Sequence, residues 1–122
     1  MAVEHDSETR PATAQSLEPQ RVAEMLDADE VELIDVREDH EWEAGRLAGA
    51  RHVPIEQVTT QADTIDRQRP VVFYCRSGNR SAMVADAFRL DGYDAYNMAG
   101  GISAWAEAGL ALEPEGGSVA ER

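Results

Sequence analysis

Short apolar runs recur along the chain and predict the strands of a sheet. Val31 to Val36 and Val71 to Cys75 are almost continuously apolar and rich in β-branched residues, which is typical of strands buried on both faces. His52 with Val53, and Tyr93 to Asn97, are weaker strand candidates. The run that ends at Cys75 has the composition of a central parallel strand.

Two short segments have the spacing of an amphipathic helix. Pro19 suits the first turn of a helix, and after it Val22, Met25 and Leu26 fall at i, i+3 and i+4 on one face. Near the other end, Ile102 to Ala108 predicts a last helix, which a glycine terminates.

A third and longer helix is predicted directly after the strand that ends at Cys75. It covers Ser81 to Leu90, and Gly92 stands where a helix C-cap belongs. Apolar residues lie at i, i+4 and i+7 of this helix, namely Met83, Ala87 and Leu90, with Val84 and Phe88 beside them.

Strands and helices therefore alternate along the chain. This alternation predicts an α/β fold with a mostly parallel central sheet of about five strands and helices on both faces. The 122 residues, 43% of them hydrophobic, are enough for one core without disulfide or metal support. Residues 1–14 and 113–122 are polar and aperiodic, so we predict flexible tails around a domain over residues 15–112.

Charge narrows the classes of partner. A net charge of -13 repels phosphate backbones and anionic lipid surfaces, which argues against nucleic acid and membranes as partners. No apolar run approaches the ~20 residues of a membrane span, and the first residues are acidic where a signal peptide is basic. We therefore expect a cytoplasmic protein. All 11 basic residues are arginine, which fits either a salt-rich cytoplasm or a GC-rich genome.

The candidate for chemistry is Cys75, the one cysteine of the chain. Ligands of open parallel sheets bind beyond the carboxyl ends of the strands, where a loop enters the next helix, and Cys75 stands at such a point. The amides of residues 76–81 could form a cradle of donors, with Gly78 allowing the tight turn. Together with the guanidinium groups of Arg76 and Arg80, this setting lowers a cysteine pKa from ~8.5 to ~3.5–7.5.

A structural role for Cys75 is the competing hypothesis, because most lone cysteines are small buried apolar residues. The convergence of the cysteine, a glycine, two arginines and a helix on one anion cradle favours a reactive thiolate. On this hypothesis Cys75 is catalytic, and the substrate-binding residues are Arg76, Ser77, Gly78, Asn79, Arg80 and Ser81.

The segment Cys75-Arg76-Ser77-Gly78-Asn79-Arg80-Ser81 resembles the active-site loop of the rhodanese family of sulfurtransferases. Ile34-Asp35-Val36-Arg37 is similar to the family's Asp-x-Arg, and residues 43–50 to its Glu-x-Gly-His-Ile-x-Gly-Ala. Residues 97–105 are similar to its Gly-Gly-x-x-x-Trp. The resemblance spans roughly residues 15–112 and implies the rhodanese-like three-layer fold. One departure is Arg46, where many members carry histidine, and we assign this position a structural role.

Other charged residues near these motifs are expected to be structural. Asp35 and Arg37 suit a charge pair that braces the loop. His40 and His52 lack the spacing to other ligands that a metal site or a general base requires, and no metal is predicted.

The resemblance implies a two-step transfer without metal or organic cofactor. The Cys75 thiolate takes the outer sulfur of a small donor such as thiosulfate and becomes a persulfide, and an acceptor nucleophile then removes that sulfur. Because the chain has no second cysteine, the acceptor is external: cyanide, a small thiol, a thioredoxin-like protein or a sulfur-carrier protein.

Two alternatives remain open at this point. Cysteine phosphatases and arsenate reductases of similar fold have five residues between cysteine and arginine, whereas here Ser81 takes that sixth position and Arg80 comes one residue early. Non-catalytic binding modules with this fold usually lose the cysteine, and this chain keeps it.

Overall fold

One five-stranded sheet organises the residues that the computed structural model describes, which are residues 15–121. In chain order its strands are β1 (Gln15–Leu17), β2 (Glu32–Asp35), β3 (Arg51–His52), β4 (Val71–Tyr74) and β5 (Ala95–Met98). They lie in the order β1-β5-β4-β2-β3, and every pairing is parallel. The prediction of an α/β fold with a parallel sheet of about five strands is confirmed.

Three α-helices connect strands, namely α1 (Pro19–Asp27), α2 (Asp39–Ala44) and α3 (Asn79–Leu90), and α4 (Gly101–Glu107) follows β5. Two short 3-10 helices, Ile55–Gln57 and Ala62–Thr64, lie between β3 and β4. The three helices predicted from periodicity all form, whereas α2 was not anticipated. Between residues 15 and 121, no helix has both the length and the apolar character that crossing a bilayer requires.

Strand β4 is the centre of the sheet, and all four of its residues are buried. Its side chains alternate between two cores. Phe73 belongs to the core that also contains Ile34 and Phe88, and Tyr74 belongs to the opposite core with Leu33. Because the side chains of β4 pack into a core on each face of the sheet, no face of the strand is exposed to solvent. This explains its continuously apolar sequence.

Helix α3 forms as predicted, but the apolar positions Met83, Ala87 and Leu90 do not face the core. Met83 is 65% exposed, Leu90 is 73% exposed and Ala87 is exposed as well. The buried positions instead follow Ser81 at i+3, i+4 and i+7, namely Val84, Ala85 and Phe88. Because Ser81 contacts the sulfur of Cys75, the geometry of the loop fixes the rotation of the helix that follows it.

Residues 113–121 lie along α2 and the residues that follow it. Glu113 and Arg46 form an antiparallel bridge with backbone N···O distances of 2.8 and 2.7 Å. The Ser118 amide donates to the Ala44 carbonyl over 2.9 Å, and Val119 packs against the core. Residues 1–14, the other predicted tail, lie outside the described residues. Flexibility of both tails and the boundary at residue 112 stay predictions.

Candidate active site

Cys75 follows the last residue of β4, one position beyond the end of the strand. It is 1% exposed and lies at the carboxyl end of the central strand, where a short loop leads into α3. The sequence placed it at this edge of the sheet, and the structure agrees apart from the one-residue shift of the strand end.

Two amides and one hydroxyl surround the sulfur of Cys75. The amide of Gly78 lies 3.2 Å from Sγ, and the amide and hydroxyl of Ser81 each lie 3.4 Å from it. Gly78 has φ of +104°, a left-handed conformation that favours glycine. The cradle predicted over residues 76–81 thus includes the amides of Gly78 and Ser81.

These donors offset the effect of burial on the thiol. Burial raises the pKa of Cys75, because a thiolate is poorly stabilised away from water. Hydrogen bonds from the Ser81 amide and the Gly78 amide lower it, and so does the positive charge of Arg80. The net pKa of Cys75 lies below its ordinary value. The arrangement favours a thiolate, which is the nucleophilic form of cysteine.

The first turn of α4 forms hydrogen bonds with the backbone of the loop that begins at Cys75. The amide of Ile102 donates to the Cys75 carbonyl over 2.9 Å, and the amide of Ser103 donates to the Arg76 carbonyl over 3.0 Å. A Cβ atom at Gly101 would overlap both carbonyl oxygens. Glycine at this position is therefore required for the close approach of α4 to the loop, which gives a physical reason for the Gly-Gly motif.

Arg80 does not stand free to attract an anion. Its guanidinium forms two hydrogen bonds, of 2.9 and 3.0 Å, with the two carboxylate oxygens of Glu41 in α2. Arg80 is 8% exposed and Glu41 is completely buried. Burial raises the pKa of Glu41, but the bonds from Arg80 and from the Glu38 amide lower it below its ordinary value. The geometry thus favours a bracing role for Arg80, with Glu41 as its partner.

Sequence reasoning missed Glu41, although one signal was present. Glu38 is the N-cap of α2, and the side chain of Glu41 accepts a hydrogen bond from its amide over 3.0 Å, which completes a capping box. The spacing of an acidic residue three positions after a cap predicts this helix start. It does not predict that the same carboxylate pairs with an arginine 39 residues away.

The remaining loop side chains are more exposed. Ser77 and Asn79 face solvent, and the Arg76 side chain is 35% exposed. The Arg76 guanidinium lies 3.5 Å from the carboxylate of Glu121. Of the two arginines predicted to attract a substrate, Arg76 is therefore the one with a solvent-accessible charge.

A second residue that sequence reasoning missed is Asn97, in β5. Its Oδ1 accepts a hydrogen bond from the hydroxyl of Ser81 over 2.6 Å, and it is 6% exposed. The only sequence signal was a polar residue inside an otherwise buried strand. This buried amide belongs to the immediate surroundings of Cys75.

Asp35 and Arg37 form the buried charge pair expected from the sequence. The Arg37 guanidinium donates to Asp35 Oδ2 over 2.7 Å and to the Gly45 carbonyl over 2.8 Å, and both charged side chains are fully buried. Burial lowers the pKa of Arg37, but its bonds and charge interactions with Asp35 raise it above its ordinary value. The pair anchors the residues that follow α2 to the end of β2.

The two histidines of α2 and β3 take packing and surface positions. The His52 ring stacks on Trp42 with centroids 4.8 Å apart, and its Nε2 lies 2.8 Å from the Arg37 carbonyl oxygen. His40 is exposed. Arg46 also contacts Trp42, with its guanidinium 5.0 Å from the ring centroid, which fits its assigned structural role. Among residues 15–121 no group of three or more His, Cys, Asp or Glu side chains could hold a metal ion.

Comparison with known proteins gives consistent matches to one family. A family model described as a rhodanese-like domain matches residues 18–108. A relative named Sulfurtransferase, from Allochromatium vinosum, is 37% identical over 94 residues, which cover 75% of this chain and 88% of the relative. A relative named Thiosulfate sulfurtransferase GlpE, from Actinobacillus succinogenes, is 32% identical over 96 residues, covering 78% and 86% respectively.

A solved structure gives the same result at the level of the fold. The crystal structure of a rhodanese-related protein from Thermoplasma volcanium superposes with a TM-score of 0.77 at 26% sequence identity. The match covers 83% of this chain and 99% of that chain. The two proteins therefore share one fold over most of this chain.

Proposed function

Because the chain belongs to the rhodanese-like family, we propose that it is a sulfurtransferase in which Cys75 carries the transferred sulfur as a persulfide. The sulfurtransferase names of the relatives support the class of reaction. The observation that carries the proposal is the position of Cys75 Sγ, which lies within 3.4 Å of two loop amides at the end of the central strand. Such donors stabilise an anionic sulfur.

The proposed reaction has two displacement steps. The Cys75 thiolate attacks the outer sulfur of thiosulfate, so that a new S–S bond forms, the old S–S bond breaks and sulfite leaves with the electron pair. An acceptor such as cyanide then attacks the outer sulfur of the persulfide and leaves as thiocyanate, which returns the thiolate. No external oxidant or reductant is required. Thiosulfate as the donor is supported by the name of one relative.

Intact-mass analysis tests this function directly. After incubation with thiosulfate and removal of the excess, the protein should gain the mass of one sulfur atom, and cyanide should remove it. A reducing thiol should remove the same mass, because a persulfide is cleaved by thiols. An unchanged mass with thiosulfate and with other sulfane-sulfur donors would contradict the proposal.

We propose that Arg76 attracts the anionic donor. Replacing it by alanine should raise the KM for thiosulfate several-fold with little change in kcat, because a charge that acts on substrate binding affects the ground state and the transition state equally. Steady-state rates of thiocyanate formation measure both constants. The thermal midpoint should stay nearly constant, since Arg76 is partly exposed.

The matched control for that experiment is Arg67→Ala. Arg67 is exposed and pairs with Asp91, so this variant removes the same charge from the protein at another place. Equal increases in KM for the two variants would assign the effect to net charge and remove Arg76 from the donor site.

Loop length separates sulfur transfer from phosphate chemistry. With four residues between Cys75 and Arg80, the ring of donors suits one sulfur atom and is too small for a phosphoryl group. We expect no hydrolysis of aryl phosphates by the wild type. Inserting one glycine between Gly78 and Asn79 should reduce sulfur transfer and allow weak vanadate binding, measured by calorimetry. Phosphatase activity of the unmodified protein that depends on Cys75 would overturn the proposed function.

A further inference from the structure

The hydroxyl of Ser81 lies between two acceptors and has one hydrogen to donate. Asn97 Oδ1 is 2.6 Å from the hydroxyl oxygen, and Cys75 Sγ is 3.4 Å from it. All three residues are buried. Because this hydrogen can point to only one acceptor at a time, the two contacts compete.

The contact with Asn97 holds the hydrogen. An amide oxygen only accepts hydrogen bonds, so a contact of 2.6 Å between the two oxygens requires the hydrogen of Ser81 to lie between them. The distance is shorter than the ~2.7–3.2 Å of an N–H···O bond and fits the ~2.5–3.0 Å of an O–H···O bond, which supports the assignment of the oxygen to this side of the amide. The lone pairs of the hydroxyl then face Cys75.

A hydroxyl in this orientation treats the two forms of the cysteine differently. Its lone pairs can accept a weak hydrogen bond from the neutral thiol. They give no stabilisation to a thiolate, which needs donors and receives them from the amides of Gly78 and Ser81. The direction in which the Ser81 hydroxyl hydrogen points therefore affects how readily Cys75 ionises.

We propose that Asn97 is a positioning residue that holds the hydroxyl hydrogen of Ser81 away from Cys75, so that the loop amides alone stabilise the thiolate by hydrogen bonds. The inference deepens the proposed function and rests on it for its biological meaning, since Cys75 is the proposed nucleophile. Asn97 would thereby keep the thiol more basic and, once ionised, more nucleophilic than a cysteine with a third donor, because thiolate nucleophilicity rises with pKa.

The charges around Cys75 come from several elements, and substitutions at Asn97 leave all of them unchanged. Helix α3 contributes Arg80, which favours the thiolate, and α2 contributes Glu41, which pairs with it. The loop contributes Arg76. The end of β2 brings Asp35, whose charge is matched by Arg37 two residues later, whereas the first turn of α4, residues 101–103, is uncharged. Replacing the neutral Asn97 by another neutral residue therefore changes no charge.

Titration of the Cys75 thiol tests the proposal without any sulfur donor. The ultraviolet absorbance of the thiolate and the rate of alkylation by iodoacetamide, each followed against pH, report its apparent pKa. In Asn97→Ala the freed hydroxyl can donate to Sγ, so the midpoint should fall by about 0.5–1 unit, the size expected of one ordinary hydrogen bond. Ser81→Ala alone should leave the midpoint unchanged or slightly lower, because the hydroxyl in the wild type does not donate to the thiolate and can only accept a weak bond from the neutral thiol.

The double variant decides whether the effect passes through Ser81. In the Ser81→Ala background, Asn97→Ala should cause no further shift. An unchanged or raised midpoint in Asn97→Ala, a raised midpoint in Ser81→Ala, or an equal fall with and without the hydroxyl would each overturn the proposal. If Asn97→Ala does not fold, Asn97→Leu, which is similar in size and apolar, carries the same expectation. Failure of the protein to take sulfur from thiosulfate and from other sulfane-sulfur donors would contradict the proposed function. The titration would still test the role of Asn97, because it uses no sulfur donor.

Discussion

Cys75→Ser should lower the rate of sulfur transfer from thiosulfate to cyanide by at least about a thousandfold. Cys75 is the one cysteine of the chain, and a hydroxyl cannot form the S–S bond that holds the transferred sulfur. Initial rates of thiocyanate formation measure the loss, and the intact mass of the variant should stay constant after exposure to thiosulfate.

The fold of that variant should be preserved. Serine is slightly smaller than cysteine, and its oxygen can accept hydrogen bonds from the amides of Gly78 and Ser81 that now point at sulfur. We expect the thermal midpoint to change by no more than a few degrees, as for a small buried substitution. Cys75→Ala provides a second variant without a hydroxyl. Sulfur transfer above about a hundredth of the wild-type rate in both would assign the chemistry to another group.

Glu41→Ala should destabilise the protein by about 3–5 kcal/mol, the cost of leaving one member of a buried ion pair without its partner. Glu41 is fully buried, and both of its oxygens bond Arg80. Urea unfolding at neutral pH measures the loss. The double variant Glu41→Ala with Arg80→Ala should lose less than the sum of the two single variants, because it leaves no unpaired charge.

Glu43→Ala is the matched control, since Glu43 is an exposed acidic residue of the same helix. Its effect should stay within about 0.5 kcal/mol. The difference between wild type and Glu41→Ala should also depend on pH. The pKa of Glu41 is lowered in the folded protein, so its contribution is complete above the ordinary carboxyl pKa of ~4.3 and is lost as the pH falls through the folded value. A loss that is equal for Glu41 and Glu43, or that does not shrink in acid, would contradict this role of the pair.

The sequence alone predicted those parts of the fold that depend on the burial pattern and the backbone conformation of neighbouring residues. The residues of β4 are continuously apolar because their side chains enter two cores. Position 78 is a glycine because the turn requires a left-handed backbone conformation there. The alternation of strands and helices then leads to a parallel sheet. For these features, the sequence signal lies within a few residues of the structural element that it predicts.

The features that were missed depend on contacts between distant segments. Periodicity alone offered two neighbouring apolar stripes on α3, and the contact of Ser81 with Cys75 selected the one that contains Val84. The partners Glu41 and Asn97 reach the loop from a different helix and a different strand. Nothing in their own neighbourhoods distinguishes them from ordinary polar residues, so only the tertiary structure identifies them.

The parallel sheet also determines the order in which a newly made chain can complete its thiol environment. Parallel neighbours cannot be joined by a tight hairpin, so each pairing waits for an intervening crossover. The amides that bond the carbonyls of Cys75 and Arg76 belong to Ile102 and Ser103. Since synthesis proceeds from the N-terminus, Cys75 leaves the ribosome well before these supports exist. Until α4 docks, Cys75 therefore lacks its complete folded surroundings and ionises like the ordinary cysteine of an unfolded chain.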